Sequence, residues 1–384
     1  MDMAKPIIRF KGYQDDWEQR KFADFTWDAG KRNKEDLDLE PYAITNEHGF
    51  IRQRDAHDDF GYMKDTDRKA YNIVQPNSFA YNPARINVGS IGYYKGVENV
   101  IVSSLYEVFQ TDNYVNDRFL WHWLKSDEFP RWIEKLQEGS VRLYFYYDKL
   151  CECQLYMPSL EEQEKIASFL DGIDNLITLH QRKCDETKKL KKYMLQKMFP
   201  QNGEKVPEIR FSGFTDDWEQ RKLGDVAQEF KSGTSLKADE IDITGDYPVY
   251  GGNGLRGYTS TYNHDGEYAL IGRQGALCGN MNYSVGKAYF TEHAVVVKAD
   301  ENNDTMFLYY MLDTMNLGQY SDQSAQPGLA VNKLVKLENW FPTKEEQQRI
   351  GWYFSNLDHL ITLHQRELEN LQNIKKFMLE KMFV

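Results

Sequence analysis

Residues 158–199 read PSLEEQEKIASFLDGIDNLITLHQRKCDETKKLKKYMLQKMF, and residues 342–383 read PTKEEQQRIGWYFSNLDHLITLHQRELENLQNIKKFMLEKMF. The two stretches are in register at a fixed offset of 184 residues, and both contain ITLHQR. Each begins with a proline, then Ser159 or Thr343, then Glu162 or Glu346 three residues later. This spacing predicts a capping box, in which the hydroxyl and the carboxylate satisfy free backbone N–H groups at the start of a helix.

The helical stretches carry a second regularity, because apolar and small side chains recur in alternating steps of four and three residues. The positions are Ile173, Ile177, His180, Cys184 and Thr187 in the first copy, and Leu357, Ile361, His364, Leu368 and Leu371 in the second. Heptad spacing of this kind is typical of a coiled-coil seam. We expect the helices to pack on each other with approximate twofold symmetry. His180 and His364 then meet as a polar contact that sets the register; a metal ion shared between them is the alternative, and we predict no metal.

A second repeat lies outside the helices. Residues 6–25 read PIIRFKGYQDDWEQRKFADF and residues 207–226 read PEIRFSGFTDDWEQRKLGDV, at an offset of 201. We call these the opening segments; each predicts a short strand and a packing anchor at Trp17 or Trp218. Since the two offsets differ, the chain runs as opening segment, variable unit and helix, twice over. The predicted domains are 1–157, 158–199, 200–341 and 342–384, with a turn at the linker 200–205.

The variable units, about 26–157 and 227–341, predict an α/β fold of mixed, mostly antiparallel, turn-rich sheet. Short alternating runs predict strands, interrupted in the first unit by turns at Asn82-Pro83, Gly89, Gly92 and Gly96. Helices are expected at about 117–126 and 129–138, and near 304–315. The glycine-rich segments 251–257 and 272–279 are expected to form tight hairpins.

Composition limits the possible functions. No stretch approaches the roughly 20 apolar residues of a membrane helix, and the first residues lack an apolar signal region, so we expect a cytoplasmic protein. The formal net charge is −12, and both variable units are acidic, with 16 Lys and Arg against 21 Asp and Glu in 26–157 and 8 against 14 in 227–341. DNA binding therefore requires basic residues gathered on one face, or a basic partner.

Catalytic patterns are absent from the sequence. Gly286-Lys287 is followed by Ala288 and lacks the upstream glycine of a phosphate-binding loop, and the eight histidines form no HExxH. No NPPY-like tetrapeptide and no dinucleotide fingerprint is present. The sequence predicts a non-catalytic protein without a cofactor of its own.

Polar side chains on predicted turns remain as candidates for DNA contact. Arginine can recognise guanine, and asparagine or glutamine adenine, through paired hydrogen bonds in the major groove. The candidates are Asn82, Arg85, Ser90, Tyr94 and Lys95 in the first unit, and Asn253, Arg256, Arg273, Gln274, Asn280, Gln326 and Lys333 in the second.

Together these motifs resemble the DNA specificity subunits of type I restriction-modification systems, over essentially the whole chain. The resemblance rests on the two opening segments, the proline-EEQ starts at Pro158 and Pro342, the LITLHQR helices, the IGRQG run at 271–275 and the Gln-Pro turn at Gln326. The first variable unit carries no such shared motif.

The resemblance implies two target-recognition domains, each reading one half of a bipartite sequence in double-stranded DNA. Two long helices forming an antiparallel coiled coil separate the domains, set the spacer and dock the partners. Those partners would be two methyltransferase subunits, which use S-adenosylmethionine, and two restriction motor subunits, which use ATP and magnesium. We expect exposed helix residues such as Lys188, Lys189, Lys191 and Lys192 to belong to the methyltransferase dock.

Two other interpretations remain open at this point. A coiled-coil connector that binds only proteins explains the helices, but not two dissimilar units on near-identical flanks. An enzyme with an unfamiliar site would need a paired nucleophile and base, which the sequence does not present.

Overall fold

The two long helices are present in the structure, a computed structural model. It describes residues 5–46, 49–56, 68–139, 143–201, 203–321 and 328–384. The helices are α5 (Leu160–Lys197) and α8 (Lys344–Met382), the fifth and eighth α-helices of the described chain. None of its helices combines the length and the apolar character needed to cross a membrane.

The chain folds into two compact units, and each long helix contributes to both. Unit 1 contains residues 1–179 and 367–384, and unit 2 contains residues 180–366. Each unit therefore includes one opening segment, one variable unit, the start of one long helix and the end of the other.

The described part of unit 1 contains three sheets. One has the order β2 (Thr26–Asp28), β10 (Glu107–Thr111), β7 (Ser78–Tyr81) and β8 (Ile91–Tyr94). A second has the order β3 (Lys31–Arg32), β6 (Asn72–Val74), β9 (Val100–Val102), β4 (Pro41–Thr45) and β5 (Gly49–Arg52). The third pairs β1 (Glu18–Lys21) with β11 (Gln154–Met157).

Short α-helices also lie among the described residues of unit 1. They are α1 (Gln53–Ala56), α2 (Asp117–Leu124), α3 (Glu128–Leu136) and α4 (Tyr147–Glu152). The helices predicted at 117–126 and 129–138 are thus confirmed. The turn predicted at Gly92 is wrong, because Gly92 lies inside β8. A Cβ there would lie 2.6 Å from the Phe50 ring, so glycine leaves room for that ring to pack on the strand.

Unit 2 is built on one larger sheet. Its order is β13 (Ala227–Ser232), β18 (Ala294–Ala299), β16 (His264–Gly272), β17 (Met281–Phe290), β14 (Tyr247–Gly251) and β15 (Gly254–Thr259). A separate pair joins β12 (Glu219–Lys222) to β19 (Glu338–Phe341). The short helices are α6 (Thr305–Thr314) and α7 (Val331–Leu334).

The mostly antiparallel strand pairing and the tight hairpin expected at 251–257 are confirmed, whereas the tight hairpin expected at 272–279 is wrong, because a longer loop joins β16 to β17 there. Among the described strands, only the pairs β4–β9 and β14–β17 are parallel. Residues 251–254 form a tight turn between β14 and β15, while the segment 273–280 is a longer connection between β16 and β17.

Each opening segment attaches to its own unit through the same three contacts. Its strand pairs with the strand that precedes a long helix, and its tryptophan is buried, Trp17 against Phe119 and Trp218 against Phe307. Its isoleucine N–H donates to the end of a long helix: Ile8 to the Lys381 carbonyl and Ile209 to the Lys197 carbonyl, both at 2.9 Å. The repeat thus gives both units the same set of attachments between opening segment, variable unit and long helices, which we call the frame.

Candidate functional site

The helix seam follows the heptad positions predicted from the sequence. Ile173, Cys184 and Leu357 are buried, and the remaining predicted seam positions are half-buried. In unit 2, His180 faces His364 with 3.2 Å between their Nδ1 atoms, and Lys191 contacts Asp358. From His180 to Lys191 the residue numbers on α5 increase, whereas those of their partners on α8 decrease from 364 to 358. The two helices therefore run antiparallel in this unit.

Ion pairs link the two helices at repeat-equivalent positions. In unit 2, the Lys191 ammonium donates to Asp358 at 2.6 and 2.8 Å. In unit 1, the Lys375 ammonium donates to Asp174. Both lysines are half-buried, so the expectation that Lys191 belongs to an open docking surface is wrong. It lies at the inner face of the helix pair because the seam spacing continues from Thr187 by four residues to Lys191.

A flank of each helix remains apolar and exposed. Unit 1 exposes Leu176, Ile374 and Phe377 to 45%, 44% and 47%; their repeat equivalents in unit 2 are Leu360, Leu190 and Tyr193, at 41%, 44% and 49%. Leu176, Leu190 and Tyr193 lie on α5, and the other three residues lie on α8. At about 100° per residue, the three positions on each helix fall within a roughly 100° arc beside the seam. An apolar strip repeated in this way marks a surface suited to packing against another helix.

The start of each long helix is a buried junction of arginine, glutamate and glutamine. Arg9 donates to both carboxylate oxygens of Glu162 at 2.7 and 2.8 Å, and Arg210 donates to Glu346 at 2.6 and 2.7 Å. Both glutamates are almost fully buried. The capping-box prediction is therefore wrong in its acidic half: Ser159 Oγ accepts from the Glu162 N–H at 3.4 Å, but each carboxylate takes an arginine of its opening segment.

The glutamine of each junction holds a neighbouring helix. Gln163 accepts the Asn116 N–H at 2.8 Å and donates to the Pro158 carbonyl, while Gln347 accepts the Asp304 N–H at 3.0 Å and donates to the Pro342 carbonyl. Asn116 and Asp304 are the N-caps of α2 and α6. The proline-EEQ motif therefore fixes α2 and α6 in equivalent places in their units.

A cleft of about 1090 Å³ lies in unit 1 between the variable unit and the helix pair. Its walls carry aromatic and basic side chains from β8, α2 and α8. The aromatic and charged lining residues include Tyr93, Tyr94, Lys95, Arg118, Trp121, Lys125, Lys375 and Lys376, with the carboxylates of Asp127, Asp171 and Asp174.

Two of the cleft carboxylates are already paired. Asp171 accepts hydrogen bonds from Arg118 and, at 3.0 Å, from His122 Nε2 when that nitrogen is protonated; burial opposes ionisation, but these bonds hold the pKa of Asp171 below its usual range. Burial lowers the pKa of His122. His122, Asp171 and Asp174 bring ligand atoms within 4.8 Å, a grouping that could hold a metal ion. Since Arg118 and Lys375 already neutralise both aspartates, we assign no metal there.

The candidates of the first unit fall into two environments. Asn82, Arg85 and Ser90 lie in the loop between β7 and β8, and Asn82 Oδ1 accepts the Ala84 N–H at 3.0 Å. Ser90 and Tyr94 are buried, and their hydroxyls donate to the Ile44 and Glu98 carbonyls at 2.9 Å. Arg85 and Lys95 are the exposed cations of this group, and only Lys95 lines the cleft together with Tyr94.

Several candidates of the second unit come together on two touching loops. Asn253 lies at the tip of the β14–β15 turn and Arg256 on β15, both exposed. The loop 273–280 lies against that turn, since a Cβ on Gly252 would lie 3.5 Å from the Gln274 carbonyl oxygen. This loop contains Arg273, Gln274 and Asn280.

The arginine and glutamine of this loop have partners within the unit. The Arg273 guanidinium donates to the Glu292 carbonyl at 3.4 Å, and the Gln274 amide oxygen lies 3.1 Å from His293 Nδ1. Lys333 lies on α7. Gln326 lies outside the described residues.

Comparison with known proteins fits this doubled architecture. The sequence profile of the type I restriction modification DNA specificity domain matches residues 14–189 and 215–373, one match for each repeat and most of the chain. The chain belongs to this family. Each of the two matches covers part of an opening segment, a variable unit and part of a long helix.

Relatives of this specificity-domain protein differ in how much of the chain they match. The EcoprrI type I restriction enzyme specificity subunit of Escherichia coli is 43% identical over 145 residues, which are 37% of this chain and 36% of that subunit. The MjaVIII specificity subunit of Methanocaldococcus jannaschii is 24% identical over 94% of this chain and 91% of its own length.

Solved structures share the fold of this specificity-domain protein. The S subunit of a type I restriction-modification system from M. genitalium aligns over 99% of both chains with a TM-score of 0.70 and 16% identity. A chain from a study of complex assembly in the type I system aligns over 94% of this chain and 96% of its own, with a TM-score of 0.50 and 15% identity.

The sequence reasoning missed the basic wall of the cleft. Arg118, Trp121 and Lys125 were expected only as part of a helix, although their spacing of three and four residues places them on one helix face. That spacing was the available signal. Their neighbours Lys375 and Lys376 come from the other end of the chain and could be added only from the tertiary fold.

Proposed function

We propose that this chain is the DNA specificity subunit of a type I restriction-modification complex, in which each unit reads one half of a bipartite target. The observation that carries the proposal is one frame used twice around two different sheets. The Trp anchor, the Arg-Glu-Gln junction and the helix-end contact recur in both units, while the strand order between them differs. Two recognition surfaces on one frame suit two unlike half-sites.

In this proposal the helix pair docks two methyltransferase subunits. The exposed apolar strip supports this role, because it occurs once in each unit with nearly the same exposure. Two equivalent strips match two copies of one partner. The partners would supply S-adenosylmethionine for methylation of adenine N6, and restriction motor subunits would supply ATP and magnesium chemistry. The chain itself would contribute no catalytic group.

The helices would also set the spacer between the half-sites. The 38 residues of α5 extend about 57 Å at 1.5 Å per residue. The acidic net charge is compatible with DNA binding if methyltransferase partners contribute phosphate contacts.

Sequencing of methylated bases tests the proposal. DNA would be treated with the chain together with its methyltransferase partner, with the partner alone and with the chain alone. We expect methyladenine within one gapped motif only in the first reaction. Methylation by the chain alone would contradict a non-catalytic role, and an ungapped motif, or one identical with and without the chain, would contradict bipartite recognition.

A further inference from the structure

The cleft in unit 1 gathers positive charge within an acidic protein. Five cations, Lys95, Arg118, Lys125, Lys375 and Lys376, face three carboxylates along its walls, whereas the whole chain carries a formal charge of −12. Such a local concentration of cations is one way for a chain of acidic net charge to attract the phosphates of DNA.

Three of these cations lack a carboxylate partner. Arg118 and Lys375 pair with Asp171 and Asp174, but across the described ranges no carboxylate lies within salt-bridge distance of Lys95, Lys125 or Lys376. Lys125 is half-buried with its ammonium 4.7 Å from the centre of the Trp121 ring. Burial and the nearby Lys375 lower the pKa of Lys125 to about 8, and burial also lowers that of Lys95. An anion bound beside Lys125 and Lys95 would offset the free-energy cost of keeping these partly buried ammonium groups charged.

Unit 2 has a different composition at the equivalent place. The matched N-caps Asn116 and Asp304 align α2 with α6, so that Arg118 corresponds to Met306 and Lys125 to Asp313. Burial raises the pKa of Asp313. On the long helices, Asp171 corresponds to Ser355 by the repeat. The basic wall of α2 therefore belongs to unit 1 and has no counterpart on α6.

We propose that the cleft of unit 1, through Lys95, Lys125 and Lys376, binds the phosphodiester backbone of duplex DNA without reading its sequence. This inference rests on the proposed function, and it adds that the contribution of Arg118 and Lys125 to this positive charge is specific to unit 1, because Met306 and Asp313 take their places in unit 2.

A nucleic-acid backbone fits the cleft better than a single small anion. The volume of about 1090 Å³ is large for one phosphate group, and the three unpaired ammoniums come from separate places in the chain: Lys95 follows β8, Lys125 is the C-cap of α2, and Lys376 lies on α8. Lysine contacts phosphate as a point charge and imposes no base preference. We therefore expect the cleft lysines to contribute equally to the affinity for every DNA sequence, and this contribution to decrease as the salt concentration rises.

The test uses the complex of the full chain with its methyltransferase partner. Affinity is measured between 50 and 200 mM salt for a duplex carrying the methylated motif and for an unrelated duplex of equal length. Lys125→Gln and Lys95→Gln should each reduce the slope of log affinity against log salt by about 1, and should weaken both duplexes by the same factor. Lys165→Gln is the matched control, because Lys165 lies outside the cleft and already pairs with Glu161 at 3.5 Å; its slope should not change.

Lys125→Arg provides a second readout. In the wild type, the free ammonium loses its proton above about pH 8, and phosphate binding must restore it, so affinity should be constant below pH 7 and fall by up to about tenfold per pH unit between pH 8 and 9. Arginine remains charged, so Lys125→Arg should retain affinity and lose this pH dependence.

The possible failures are distinguishable. If the wild-type complex shows no preference for the motif duplex, the proposed function fails. If it prefers the motif but Lys125→Gln leaves the salt slope unchanged, the cleft inference is overturned. Loss of methyltransferase binding in Lys125→Gln, measured as complex mass, would assign the cleft to an acidic segment of the partner and would also overturn it.

Discussion

At the scale of residues, the Arg-Glu pairs determine how each unit is closed. Glu346 is fully buried, and its carboxylate receives two hydrogen bonds from Arg210, which comes from the opening segment 136 residues earlier. The same pair recurs as Arg9 and Glu162. Removing one member leaves a buried charge without compensation, which is far more costly than the net stabilisation that the intact pair provides.

Glu346→Ala should therefore lower the free energy of unfolding by about 3–5 kcal/mol. Denaturant unfolding monitored by tryptophan fluorescence measures the change, since Trp218 is buried in the same unit. The control is Glu345→Ala, an exposed neighbour on the same helix turn, expected to change stability by less than about 0.5 kcal/mol. Equal effects of the two variants would show that the buried pair does not hold the opening segment.

Arg273 is the residue whose proposed base contact can be tested most simply. It begins the loop that touches the β14–β15 turn, and its weak 3.4 Å contact to the Glu292 carbonyl leaves hydrogen-bonding capacity on the guanidinium. If it reads guanine, Arg273→Ala should cost about 1–3 kcal/mol of binding and relax specificity at one position of one half-site. Methylation mapping and equilibrium binding are the measurements; an unchanged motif with unchanged affinity would remove Arg273 from the recognition surface.

Sequence reasoning succeeded where the signal is local or repeated. The long helices follow from the seam and its repeat, and the tight turn between β14 and β15 follows from the glycine-rich segment that begins at Gly251. It failed where a distant part of the chain decides. Glu162 has the spacing of a capping residue, but its carboxylate binds Arg9. Ser90 follows a turn glycine, but its side chain is buried and its hydroxyl donates to the Ile44 carbonyl. The cleft cations come from α2, α8 and the residues that directly follow β8 and α2, and no local sequence pattern connects these places.

At the scale of elements, the His180–His364 pair interrupts an otherwise mostly apolar seam. With the Nδ1 atoms 3.2 Å apart, one ring must donate and the other accept, so the pair fixes the register but contributes less burial than leucine would. The double variant His180→Leu with His364→Leu should raise the free energy of unfolding by roughly 1–3 kcal/mol.

Denaturation of both single variants and the double variant measures the coupling between the rings. His359→Leu is the matched control on α8, because His359 is exposed and should affect stability by less than about 0.5 kcal/mol. A double variant that is less stable than either single variant would show that the histidine contact stabilises the helices instead of only setting their register.

At the scale of the whole molecule, the helices act as a ruler in the proposed function. Inserting seven residues after Arg182 and after Arg366, which are repeat equivalents, keeps the heptad phase and adds about 10 Å. That length equals at most about three base pairs at 3.4 Å each. Three base pairs also rotate the second half-site by roughly 100°, so total methylation should fall.

Methylation mapping of the double-insertion variant should give a longer spacer with both half-sites unchanged. A variant with only one insertion forces one helix to slide along the other and serves as the comparison. An unchanged spacer with altered bases would show that the helices do not set the distance.

The central claim, one unit for one half-site, is tested most directly by replacing residues 26–157 with the corresponding unit of another specificity-domain protein and mapping methylated adenines in the presence of the same methyltransferase. Trp17 and the Arg9–Glu162 junction stay outside the exchanged segment, while the donor supplies its own residues at the positions of Phe119 and β11, which contact the opening segment. We expect one half-site to change to the donor's sequence while the other half-site and the spacer remain. A simultaneous change of both half-sites, or of neither, would contradict it.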